Sequence, residues 1–147
     1  MIDISPEIKL LSTLQRGSVY YFSEETFSTE GAHYFVVLNR EPDAEIMLVL
    51  ACASSQVGKR QSIGARLGFP PETLVVVRPN EYNSFTVDTI FDCNNVIEKR
   101  VQSLIDKLSA GELNVYHEPL SQEIVDRLVA GVLISPQVTE GSKKLVQ

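Results

Sequence analysis

The stretch HYFVVLNREPDAEIMLVLACA, His33–Ala53, decides how the rest of the chain is read. Residues 33–39 are rich in aromatic and β-branched side chains, the composition of a strand. Glu41-Pro42-Asp43-Ala44 follows, a turn with proline at its second position, where the fixed proline φ fits. Residues 45–53 form another apolar run of strand length, so 33–53 predicts an antiparallel hairpin. The start of its first strand carries His33, one of two histidines in the chain, and the end of its second runs into Ser54-Ser55. In such a hairpin these two ends lie side by side, which predicts His33 and Ser54 as neighbours at one end of a sheet.

N-terminal to the hairpin, Ser5-Pro6-Glu7 has a helix-capping serine followed by proline at the first helical position. Ile8, Leu11 and Leu14 continue at helical spacing, predicting a short helix near 6–15 that ends by Gly17. Residues 17–22 read as a strand, and an acidic, Ser/Thr-rich loop is expected from about 23 to 32. C-terminal to the hairpin, residues 54–72 hold Gly58, Gly64, Gly68, Pro70 and Pro71 among three cations, Lys59, Arg60 and Arg66. That density of breakers predicts a long basic loop, with at most a brief strand at 62–67. Strands are expected at Thr73–Val77 and about Ser84–Asp92. Val101, Leu104, Ile105 and Leu108 then make one apolar helical stripe stopped by Gly111. Ser121 caps a second helix through Ile124, Val125, Leu128 and Val129, ending at Gly131, and Ser135-Pro136 begins one more turn or short helix. Five or six short strands followed by two helices predict an α+β fold on a small antiparallel sheet or barrel.

At 147 residues, the chain is read as a single domain, 1–147, that buries about two-thirds of its unfolded surface. Its longest apolar run, Ile46–Ala53, is far short of the ~18 residues of a transmembrane helix. The opening MIDISPEIKLL lacks a basic region and a cleavable apolar stretch, so no signal peptide is expected and a cytoplasmic chain is. Cys52 and Cys93 lie in apolar strand-like runs and read as buried thiols rather than a disulfide. A net charge of −6 argues against a general nucleic-acid coat but leaves room for a local basic groove. Gly58-Lys59 lacks the first glycine of a phosphate loop and is followed by arginine. No dinucleotide fingerprint, zinc-ligand spacing or hydrolase elbow occurs, so no metal and no cofactor is expected.

What remains is a constellation. His33, Ser54 and Ser55 gather at one sheet end, and the segment carrying Lys59, Arg60 and Arg66 begins there. An imidazole moves protons near neutral pH, and hydroxyls and cations stabilise charge on a phosphate, which suits phosphodiester chemistry. Tyr82, in Asn80-Glu81-Tyr82-Asn83-Ser84, is a candidate base-stacking residue in a polar turn. Asp88 and Asp92 share a face of the expected 84–92 strand and read as exposed charges. His117 falls in a linker between helices.

The order of elements resembles the MazF/PemK/Kid family of toxin–antitoxin ribonucleases. Arg16-Gly17-Ser18-Val19-Tyr20 is similar to that family's first strand, and Glu30–Leu38 to its Arg-Pro-x-Val-Val strand. Val49–Ser55 is similar to its Val-x-Pro-x-Thr-Ser strand, and Phe85–Cys93 with the following helix to its last strand and helix. His33 stands where the family keeps an arginine, Tyr34 where it keeps a proline, and Ser54 where it keeps a threonine. The resemblance, over about 16–110, implies an SH3-like β-barrel, a homodimer, a cognate antitoxin, and metal-free cleavage of single-stranded RNA. His33 and Ser54 would then be catalytic. Ser55, Lys59, Arg60, Arg66 and Tyr82 would bind RNA, and residues 112–147 would be an added helical extension. The alternative is a non-catalytic binding module that kept the fold and lost the arginine.

Overall fold

A computed structural model describes residues 4–27 and 31–147. Residues 28–30 of the expected acidic loop lie outside the described residues. Helix α1, Pro6–Thr13, starts as expected, with Ser5 Oγ accepting the Ile8 N–H at 3.2 Å. Strands β1 (Val19–Ser23), β2 (Ala32–Val37) and β3 (Met47–Ser54) follow. The hairpin forms with Phe35 opposite Cys52 and Val37 opposite Leu50. Buried Asn39 holds its turn, donating from Nδ2 to the Met47 carbonyl (2.9 Å) and accepting the Val49 N–H at Oδ1 (2.7 Å).

The expected loop at 54–72 is instead largely a helix, α2, Val57–Leu67. The glycines that suggested a loop have separate tasks. A Cβ on Gly64 would lie 2.6 Å from Leu74 Cδ1, so glycine lets α2 approach the next strand. Gly68, with φ +74°, ends the helix in the left-handed conformation and donates back to the Ala65 and Gly64 carbonyls.

A short 3-10 turn, Pro71–Thr73, leads into β4, Leu74–Val77. The strand expected over 84–92 is only Thr89–Asp92, β5. The residues before it turn inward, burying Tyr82 and Phe85 and leaving Val87 exposed, so the apparent alternation there is not a strand's. Then come β6 (Ile97–Arg100), α3 (Val101–Ser109), β7 (Leu113–Tyr116), α4 (Gln122–Ile134) and α5 (Glu140–Val146). Ser121 and Thr139 cap the last two helices by accepting the Ile124 and Ser142 N–H groups. Neither β6 nor β7 was foreseen.

All seven strands pair antiparallel in the order β4-β5-β3-β2-β1-β7, with β6 also on β3. One edge of β3 is shared: Met47–Leu50 pair with β6, while Ala53 and Ser54 pair with β5. The path ends at β4 and β7, and among the described residues no pairing joins them. The fold is α+β, with helices on both faces of the sheet. Alternation divides the side chains. Val19, Val36, Val49 and Ala51 face α4 and α5, packing on Leu128 and Val132. Tyr20, Phe22, Phe35, Leu48 and Leu50 face α1 and α3, packing on Leu10 and Leu104. Cys93 belongs to the first core and Cys52 packs against the second, and both thiols are free. No helix among the described residues is long and apolar enough to cross a membrane.

Candidate functional site

His33 lies on β2 opposite Phe22, on the face that α1 and α3 cover. Its ring stands edge-on to Phe27, centroids 5.5 Å apart, and to Phe35 at 6.5 Å. Nε2 is buried and has no hydrogen-bond partner among the described residues. The β2–β3 pairing runs from Val37 opposite Leu50 to Phe35 opposite Cys52 and stops there, so His33 and Ser54 lie just past its end, on the sheet face that strand alternation gives to both. On its other side Ser54 pairs with Ile90 of β5.

Ser54 Oγ accepts the Gln56 N–H at 3.1 Å and so shapes the entry to α2. Gln56 gives that helix no side-chain cap. Three cations ride on α2: Lys59 and Arg66 are exposed and, seven residues apart, share its solvent face, while Arg60 is half-buried. Helix formation thus turns the expected basic loop into a rigid basic stripe that begins beside Ser54 and exposed Ser55. Cys52 shares the His33 face. Burial pushes its thiol up to about 12, against a smaller downward pull from Arg60. A thiol pushed up in this way is a poor nucleophile at neutral pH.

Tyr82 corrects the expectation of a base-stacking residue. It is 2% exposed, packs on Phe85 with centroids 4.9 Å apart, and donates its hydroxyl to the Glu118 carbonyl at 2.5 Å. Neither ring face is open to a base. Half-exposed aromatics occur elsewhere, on the α4/α5 face: Tyr21 and Tyr34 lie 4.8 Å apart, and Tyr34 and Tyr116 5.2 Å. Desolvation first, and Tyr116 second, push the Tyr34 hydroxyl up to about 12. The signal for Tyr21 and Tyr34 was strand parity, since each neighbours a residue of the opposite face. Tyr116 gave none, because β7 was read as a linker.

The acidic groups have structural partners. Glu24 Oε1 is buried against Lys99 Nζ at 2.6 Å, a close charge contact rather than an aligned hydrogen bond. Lys107 holds Glu25 at 2.7 Å. A cavity of about 530 Å³ there is lined by Glu24, Glu25, Glu112 and Lys107, together with Ser23, Phe27 and Gly31. With three carboxylates and one lysine already paired, it is a poor seat for phosphate. Asp92 accepts hydrogen bonds from Asn94 and Asn95 in the β5–β6 turn, whereas exposed Asp88 lies outside β5. His117 is exposed between β7 and α4. Among the described residues no group of three His, Cys, Asp or Glu side chains could hold a metal ion.

No protein-family profile matches the chain, and comparison with curated proteins finds no match.

Proposed function

We propose that the chain is a metal-free endoribonuclease of the MazF/PemK/Kid kind, holding single-stranded RNA across the sheet end where β3 passes into α2. The observation that supports this reading is strand parity, which gives His33 and Ser54 the same sheet face, with the cations of α2 following Ser54 in the chain. In this scheme His33 takes the proton of a ribose 2′-hydroxyl as that oxygen attacks the adjacent phosphorus. The bond to the 5′-oxygen breaks, a cyclic phosphate forms, and the leaving oxygen takes a proton from imidazolium or water. Ser54 and Ser55 hydrogen-bond the phosphate, and Lys59, Arg60 and Arg66 offset its charge. The SH3-like barrel relationship, the homodimer, the antitoxin and the cytoplasmic setting belong to the same proposal.

The test is cleavage of single-stranded RNA in excess chelator by wild type, His33→Ala and Ser54→Ala. The expected loss for His33→Ala is roughly 10²–10⁴-fold, the usual contribution of a general base. A wild type that cuts nothing and harms no cell on expression sinks the nuclease reading.

One further reading has its own support. His33 Nε2 is enclosed, and Ser54 Oγ already accepts the Gln56 N–H, which suits a binding module without catalysis. Such a module binds RNA or a protein partner through α2 and cuts nothing. RNA binding through that stripe gives a salt slope that flattens by about 0.7 per cation when Lys59, Arg60 or Arg66 becomes Gln.

A further inference from the structure

The chain leaving β1 folds down over the α1/α3 face and is fastened there by charge. Glu24, its side chain 4% exposed, meets Lys99 at 2.6 Å. Lys107 donates to the Ser23 carbonyl at 3.1 Å and to Glu25 at 2.7 Å, and Lys99 reaches Glu25 at 3.7 Å. Thr26 donates its hydroxyl to Glu24 Oε2 at 2.9 Å, stiffening the segment. Three residues after Glu24, Phe27 sets its ring against His33 at 5.5 Å and against Phe35 at 5.9 Å. Beneath it His33 Nε2 is buried without a partner among the described residues.

We propose that Glu24–Phe27 is an ion-latched strap over half-buried His33 that shields its Nε2, so that this nitrogen is reached only when Glu24 and Glu25 part from Lys99 and Lys107. This inference rests on the nuclease reading for the use made of His33. Its test reads access to the imidazole and not RNA cleavage, so the two fail separately.

Diethyl pyrocarbonate acylates exposed imidazoles, and His117 is an exposed reference in the same chain. Modification of each histidine is followed by peptide mass spectrometry. Reaction at a shielded group follows its open population, so wild-type His33 reacts more slowly than His117. Raising NaCl from about 0.05 to about 0.5 M screens the exposed Glu25 contacts far more than the buried Glu24–Lys99 pair, and speeds His33 while His117 stays constant. Lys107→Gln gives a similar rise at low salt. Phe27→Ala brings His33 to within about twofold of His117, the rate of a group that is always open. A wild-type His33 as reactive as His117, or one whose rate either salt or Phe27→Ala leaves unchanged, overturns the strap. The salt series needs no variant, so misfolding cannot mask the result.

Discussion

Arg16 and Val146, 130 residues apart, are joined by a hydrogen bond from the guanidinium Nη2 to the Val146 carbonyl. The same side chain donates from Nε to the carbonyls of Leu38 (3.0 Å) and Asn39 (3.2 Å). One planar fork therefore ties the end of α5 to the exit of β2, next to the Arg40 N–H bond to the Leu145 carbonyl. Desolvation lowers the Arg16 pKa, yet a guanidinium remains charged at any ordinary pH. The work of Arg16 seen here is structural.

Arg16→Lys is the sharp test of that role. A lysine keeps the charge but not the fork, and it strands carbonyls at a half-buried site. The expected loss is about 1–3 kcal/mol. Urea denaturation checks it, and an unchanged midpoint would show the fork to be dispensable.

Two glycines in helices carry opposite expectations. A Cβ on Gly131 would lie 2.8 Å from Cys93 Sγ and 2.9 Å from the Glu72 carbonyl oxygen. Backbone cannot yield as a side-chain tip can, so Gly131→Ala forces α4 away from Cys93 and the Pro71–Thr73 turn and costs about 1–3 kcal/mol. A Cβ on Gly58, in the first turn of α2, meets nothing within 4 Å. Gly58→Ala gains up to about 0.5–1 kcal/mol from helix propensity. Thermal melts of the two variants beside wild type should move in opposite directions. A stabilised Gly131→Ala would refute the close approach.

These glycines also explain what could be read from the sequence. The His33–Ala53 hairpin was legible because its signals are local: two apolar runs, a proline turn, and parity that sets one side chain against another. Helix α2 was not, because glycine at 58, 64 and 68 looks the same whether it breaks a helix, admits a neighbour or ends one. Leu74 packed on Gly64, the left-handed φ of Gly68 and the open space at Gly58 tell these apart. Strand β7 was missed because its four residues gain strand character by pairing with β1, more than ninety positions earlier. Of the candidate site, the shared sheet face of His33 and Ser54 was legible from strand parity, but not that the β2–β3 pairing stops at Phe35 and Cys52. The burial of Tyr82 was not, since a polar turn gives no hint that it folds inward onto Phe85.

The latch on the β1 exit has a pH signature. A hydrogen bond from Lys107, then a backbone hydrogen bond and the Lys107 charge, hold the Glu25 carboxyl down at about 2 from an ordinary 4.5. A carboxyl lowered in the folded state adds stability above its unfolded pKa and loses it as pH falls through the folded value. The contribution is thus complete above about pH 4.5 and gone below about 2. Glu25 is 71% exposed, so solvent screening keeps the effect small. Urea midpoints of wild type and Glu25→Gln should differ at pH 6, converge between pH 4.5 and 2, and differ less at high salt. A gap that persists at pH 2 would mean that Gln acts through something other than the lost charge.

The two thiols make a prediction that separates the cores. Burial pushes both up to about 12; Asp92 adds to the rise at Cys93, whereas Arg60 opposes it at Cys52. Thiolate is the reactive form, so at pH 8 both should react with an aromatic disulfide reagent far more slowly than a free cysteine. Cys93, 0% exposed and bonded to the Leu128 carbonyl, should require global unfolding. Cys52 is half-buried at the sheet end next to α2, and local opening should suffice. Below-midpoint urea should therefore speed Cys52 with a shallow dependence and Cys93 with the full slope of unfolding. A thiol pKa raised by folding also means that stability is complete below about 9 and falls as pH rises toward 12. Equal urea slopes at the two cysteines would show that the sheet end beside α2 opens only with the whole molecule. That would leave the candidate site without independent motion.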